Sequence, residues 1–221
     1  MTHRIAVLIS GAGSNLQAIL DAVEAGTLAA RVTLVLSNKA DAGGLQRAAR
    51  AGIPRAVIDH RDYADRAAFD AAMIARIDEH GADTVVLAGF MRILTPLFVN
   101  HYAGRLINIH PSLLPKYQGL NTHARALEAG DHEHGCSVHF VTEELDGGPL
   151  IAQARIAVAE NDTAASLSKR VQRCEHELYP RVLSWRAEQR LRLTDQGVEL
   201  DGERLPPQGR QTALAAMAER H

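Results

Sequence analysis

The first half of the chain alternates two kinds of segment, and that alternation restricts the fold more than any other feature. Arg4–Ile9, Val32–Leu36, Ala56–Ile58 and Thr84–Ala88 are short apolar runs rich in β-branched residues. Between them Leu16, Ile19, Leu20 and Val23 recur at i, i+3, i+4 and i+7, and Phe69, Met73 and Ile77 at i, i+4 and i+8. A further helix is read around Leu45–Arg50, closed by Gly52. Strands that are apolar throughout need cover on both faces, and strand–helix–strand repeats supply it through right-handed crossovers. The expected fold class is therefore α/β, a single doubly wound, mostly parallel sheet with helices on both faces. A chain of 221 residues fits one domain, expected over residues 1–209, with residues 210–221 as a mobile C-terminal tail.

Composition excludes several classes of partner. A formal charge of −2 and a pI near 6.6 provide no basic field for a phosphate backbone, so nucleic acid is not expected. No apolar run approaches the roughly 20 residues that span a bilayer, so no membrane is expected either. Cys136 and Cys174 are too few for a disulfide framework or a cysteine-based zinc site, and read as reduced thiols in a cytoplasmic protein. His123, His132, His134 and His139 lack the helical i,i+4 pairing with a flanking acid, and Asp131–His134 reads as a polar loop, so no metal is expected. Small-molecule substrates remain.

Ser10-Gly11-Ala12-Gly13-Ser14-Asn15 joins the first strand to the first helix. A helix N-terminus with nearby backbone N–H groups attracts anions, and phosphate is the natural ligand; a ligand-free structural turn is the other reading. A nicotinamide cofactor is rejected, because the third glycine of a dinucleotide fingerprint is replaced by Leu16. The second strand also ends in Ser37-Asn38-Lys39 rather than in an acid for a ribose diol. In open α/β sheets ligands bind beyond the carboxyl ends of the strands, which brings in Gly89–Leu94 as well. Arg92 in that segment and Arg66 at the start of its helix are either carboxylate partners or solvated surface charges.

Asn108-Ile109-His110-Pro111-Ser112-Leu113-Leu114-Pro115 places a carboxamide and an imidazole two residues apart at the end of an apolar strand. Period-2 geometry points both side chains the same way. This is either a site or a polar strand edge. Cys136–Thr142 alternates like a half-buried strand, and Leu150–Val158 is another strand candidate. Asp146, in Asp146-Gly147-Gly148-Pro149, forms a turn or else holds a carboxylate beside an imidazole. A long helical pattern from Thr163 to Arg190 contains Pro180, expected to bend or break it. Leu191–Leu193 and Val198–Leu200 suggest a terminal hairpin.

Three segments taken together resemble one family. Leu8–Gln17, Asn108–Pro115 and Leu145–Pro149 closely resemble the phosphoribosylglycinamide formyltransferases of purine biosynthesis, folate-dependent formyltransferases, and the similarity runs from about Arg4 to about Gly209. The resemblance implies the formyltransferase fold and transfer of a formyl group from 10-formyltetrahydrofolate to the amine of phosphoribosylglycinamide. It implies Asn108, His110 and Asp146 as the catalytic set, and Gly13, Ser14, Asn15 and Glu175 as contacts to phosphoribosylglycinamide. Folate contacts are implied at Arg66, Met91, Arg92, Ile93, Leu94 and Asn108. Direct attack through a tetrahedral intermediate follows, since neither cysteine sits in a nucleophile motif. A formyl-folate hydrolase and a non-catalytic phosphate or nucleotide sensor are the alternatives. Monomer and homodimer are both open.

Overall fold

The computed structural model describes residues 2–212 and 214. In the first half the strands are β1 (His3–Ile9), β2 (Ala30–Ser37), β3 (Arg55–Val57), β4 (Thr84–Leu87) and β5 (Leu106–His110), with helices α1 (Ser14–Glu24), α2 (Gly44–Arg50), α3 (Arg66–Glu79) and α4 (Pro96–His101) between them. Next come α5 (Thr122–Glu128), β6 (Glu133–Phe140), β7 (Leu150–Ala157) and α6 (Ala164–Ala187). The strands β8 (Leu191–Thr194), β9 (Gly197–Leu200), β10 (Glu203–Arg204) and β11 (Arg210–Gln211) complete the described chain. Where the sequence suggests one domain over 1–209, contacts gather the chain into two compact units: Met1–Asn108 with Val141–Glu143, and Ile109–Phe140 with Glu144–His221.

The first unit follows the alternation closely. Its strand order is β5-β4-β1-β2-β3, and every neighbouring pair is parallel. Side-chain parity divides the cover. Ala6, Leu8, Leu34 and Leu36 pack in one cluster with Phe69, Met73 and Ile77 of α3 and Phe98 of α4. Ile9 has the opposite parity and lies against Gly44 of α2. Helices therefore cover both faces, and Ile5 to Ile9 are fully buried because there is no wet face for any of them. The mostly parallel α/β sheet read from the sequence is the fold observed. Helix α4 has too few residues to show a period; its start is marked by Pro96 at the first helical position.

The second unit is built differently. Its strand order is β11-β7-β6, with β6 and β7 antiparallel and β11 parallel to β7. Helix α6 lies against both β6 and β7. A Thr163–Ser166 capping box starts it, and its buried face carries Leu167, Val171, Cys174 and Leu178. Pro180 neither breaks nor ends α6: it sits buried inside the helix, where packing outweighs the missing N–H. Strand β6 is buried along both faces from His134 onward, not half-buried as its alternation suggests, and it takes in Glu133 and His134, which read as loop. The hairpin of β8 and β9 is present and gains β10 as a third strand. Residues 210–221 were expected as a tail; Arg210–Gln211 instead pair with β7, and Thr212 N–H donates to the Gln153 carbonyl at 2.9 Å. Residues 213 and 215–221 lie outside the described residues.

His134 is buried beside His123, with Nδ1 of His123 and Nε2 of His134 3.1 Å apart and the rings edge to face. One shared proton makes that contact a hydrogen bond; protonating both nitrogens would set two donors against each other. Burial, with a smaller contribution from His123, pushes the His134 imidazole down to about 4 from an ordinary 6.5. Between those two values the unfolded ring binds a proton that the folded ring refuses, so stability falls as pH drops through that window. The expected slope from this group is at most about 1.4 kcal/mol per pH unit. Urea unfolding across the window should show a flatter profile for His134→Gln than for the wild type. Equal slopes would exclude this ring as the source.

Candidate active site

In the first unit the Gly-rich loop is clamped by the start of α2. Gly13 has φ 72°, a left-handed conformation, and a Cβ there would lie 2.6 Å from the Gly44 Cα. Gly44 N–H donates to the Gly11 carbonyl at 3.0 Å, and Arg47 Nε donates to the Ala12 carbonyl at 2.8 Å. The two chain segments therefore approach at backbone distance, which requires glycine at both positions. Helix α1 starts at Ser14 with no side-chain cap, so the positive end of its dipole opens beside Gly13, half-buried Ser14 and buried Asn15.

Ser10 connects this loop to its neighbours. Its hydroxyl donates to Asn38 Oδ1 at 2.6 Å and accepts from the Met91 N–H at 2.8 Å, so the ends of β1, β2 and β4 are tied through one side chain. The segment after β4 is held from α3 as well. Arg66 donates to the Ile93 carbonyl, and Asp70 accepts from the Thr95 N–H at 2.7 Å and its hydroxyl at 2.6 Å. Arg66 therefore has a structural acceptor, beyond the two readings taken from sequence. Met91 and Ile93 project into solvent at 64% and 59% exposure, an unusual state for large apolar side chains, while Arg92 and Leu94 are half-buried. Asn108 pairs in register with Leu87, the last residue of β4. The Gly13 loop, Met91–Leu94 and Asn108 thus share the carboxyl edge of the first unit's strands.

In the second unit His110 and Asp146 meet. Nδ1 of His110 is 3.4 Å from Asp146 Oδ2, and both side chains are over nine-tenths buried. The other ring nitrogen, Nε2, lies 2.8 Å from the Tyr117 carbonyl. A carbonyl only accepts, so Nε2 carries a proton; a second proton on Nδ1 then turns a lone pair facing a carboxylate into an ion pair. Asp146 Oδ2 also accepts the Gly119 N–H at 2.9 Å. On the other carboxylate oxygen, His139 Nε2 stands 3.8 Å from Oδ1. Burial lowers the His139 imidazole, and its Nδ1 faces the Phe140 carbonyl at 2.9 Å.

The carbonyl that receives His110 is itself positioned. Ser112 Oγ donates to the Lys116 carbonyl at 2.6 Å, Ser137 Oγ donates to the Ser112 carbonyl at 2.7 Å, and Gln153 donates to Ser137 Oγ at 2.9 Å, all buried. Asp146 opens onto a cleft of about 460 Å³ lined also by Leu114, Gln118 and Gly147. Glu175 lies on the buried face of α6. Burial pushes the Cys136 and Cys174 thiols up, away from the thiolate form a nucleophile needs. No group of three or more His, Cys, Asp or Glu residues placed to hold a metal ion occurs among the described residues. From the sequence His139 is considered only as a metal ligand and Ser10 only as part of the Gly-rich loop, and no role is assigned to Arg47 or Tyr117. For His139 the available signal was its parity with Ser137 on β6; a backbone carbonyl such as Tyr117's leaves none.

Comparison with known proteins agrees with this geometry. The family profile described as formyl transferase matches residues 3–183. A phosphoribosylglycinamide formyltransferase of Escherichia coli (strain K12) is 57% identical over 205 residues, covering 93% of this chain and 97% of the relative. That of Haemophilus influenzae is 48% identical with the same coverage of both chains. A solved phosphoribosylglycinamide formyltransferase from Coxiella burnetii superposes with a TM-score of 0.93 at 51% identity, covering 96% of this chain and 100% of that one. By profile, by sequence and by fold, the chain belongs to the formyl transferase family.

Proposed function

We propose that the protein transfers a formyl group from 10-formyltetrahydrofolate to the amine of phosphoribosylglycinamide. The observation that carries this reading is the His110–Asp146 contact of 3.4 Å, in a chain whose relatives are named for that activity. In the proposed reaction the amine attacks the formyl carbon directly, and the tetrahedral intermediate collapses by expelling the folate nitrogen. Asn108 donates to the developing oxyanion, and an imidazolium at His110, stabilised by Asp146, shares that task and carries the proton between the two nitrogens. Gly13, Ser14 and Asn15 hold the phosphate at the start of α1, and Glu175 meets the ribose or amino end. Exposed Met91 and Ile93 suit a flat apolar ring system, and with Arg66, Arg92, Leu94 and Asn108 they form the folate contact. A cytoplasmic location and a role in purine biosynthesis accompany this reading; among the described residues no helix is long and apolar enough to cross a membrane.

Following loss of formyl from 10-formyltetrahydrofolate with and without phosphoribosylglycinamide tests the assignment. Loss that depends on the nucleotide is expected; equal loss without it would identify a hydrolase. His110→Ala and Asp146→Asn should each lower kcat about a hundredfold or more, and near wild-type turnover in either would remove the dyad from the mechanism. Asn108→Ala should lower kcat by a similar factor of about a hundred with little change in substrate affinity. An effect confined to KM would make Asn108 a binding group only. Asn15→Ala should raise the KM for phosphoribosylglycinamide while sparing folate affinity, and an unchanged nucleotide KM would overturn the phosphate assignment.

A further inference from the structure

Within the first unit a groove of about 760 Å³ runs between α1 and α2 over the amino-terminal end of β2. This is the end of the strand remote from Ser37 and the carboxyl edge. Arg31, Arg47 and Arg50 line it against a single carboxylate, Glu24, in a chain whose formal charge is −2. Leu20, Ile53 and Pro54 supply an apolar floor. Arg31 and Arg50 are exposed, and among the described residues neither has a carboxylate partner. Arg47 is different: its donors to the Ala12 carbonyl at 2.8 Å and to Gln17 Oε1 at 3.0 Å fix the guanidinium in place before any ligand arrives.

Three like charges around one concavity repel each other, and the field they focus there is relieved by a bound anion. Guanidinium groups match phosphate oxygens in planar, paired hydrogen bonds, and the groove has the volume of a small-molecule site. The apolar floor has no role in holding a bare inorganic ion, but it suits a flat ring attached to one. We propose that this groove is a second ligand site, which takes a phosphorylated compound carrying an aromatic ring, of the nucleoside diphosphate class. The ligand's phosphates lie among Arg31, Arg47 and Arg50, and its ring rests on Leu20, Ile53 and Pro54.

Isothermal titration of the full chain with ADP at low salt tests this, with inorganic pyrophosphate and adenosine titrated separately. ADP is expected to bind more tightly than either fragment. The Arg31→Ala/Arg50→Ala double variant should weaken ADP binding about tenfold or more while leaving formyl transfer unchanged. These two side chains are exposed and make no hydrogen bond or ion pair among the described residues, so the fold does not depend on them. Asn15→Ala should leave ADP affinity unaltered, which separates the groove from the Gly13 loop. Three results overturn the proposal: no ADP binding at about 1 mM, wild-type affinity in the double variant, or loss of ADP affinity in Asn15→Ala. Pyrophosphate binding as tightly as ADP would eliminate the ring from the assignment.

Discussion

Asp146 faces an imidazole from each carboxylate oxygen and accepts a backbone N–H on one of them, so three separate stretches of the second unit converge on one acid. A carboxylate over nine-tenths buried is costly unless charge or hydrogen bonds compensate it. His110 and the Gly119 N–H supply that compensation from two separate stretches of chain. The two rings are not equivalent. His139 has no opening to water and is driven toward its neutral form, whereas His110 has the closer approach to the acid and an acceptor on its far side. One carboxylate thus faces two histidines: burial drives His139 toward its neutral form against the pull of the acid, while Nδ1 of His110 lies closest to it.

The first unit solves a different problem, that of exposing chemistry on a sheet with no wet face. Its central strands β1 and β4 are covered on both sides, so chemistry has its place at strand ends, and Ser10, the Met91 N–H and Asn108 emerge at the carboxyl edge. Ser10 matters there because a single hydroxyl can donate to Asn38 and accept from Met91 at once. Replacing it by alanine would leave a buried amide oxygen and a backbone N–H looking for partners in the same small space.

Much of this was legible in the sequence, for reasons that can be stated residue by residue. Ile5–Ile9 read as a buried strand because β-branched and apolar residues ran without a polar break, and Phe69, Met73 and Ile77 read as a helix face because their spacing admits little else. Asn108 and His110 stood out because polar residues are rare on such a strand. Helix α4 was invisible for want of length. His134 read as loop because its burial depends on His123, a partner distant in sequence. Pro180 misled because local propensity says nothing of the packing that surrounds it, and Arg210–Gln211 join β7 through backbone bonds that impose no side-chain pattern. The Tyr117 carbonyl, which any residue type could have provided, could not have been read at all.

The contact between Gly13 and Gly44 has a consequence for how such a chain can change over time. A side chain at position 44 would strike Ile9, and one at position 13 would strike the backbone of α2 in addition to straining a left-handed φ. A smaller residue at position 9 would relieve only the first of these contacts, because a Cβ at position 44 also lies 3.2 Å from the Gly13 Cα and one at position 13 lies 2.6 Å from the Gly44 Cα, and no substitution removes backbone. The loop and the start of α2 are therefore committed to one another as an inherited pair. Descendants of this fold can vary what lies around the pair far more readily than the pair itself.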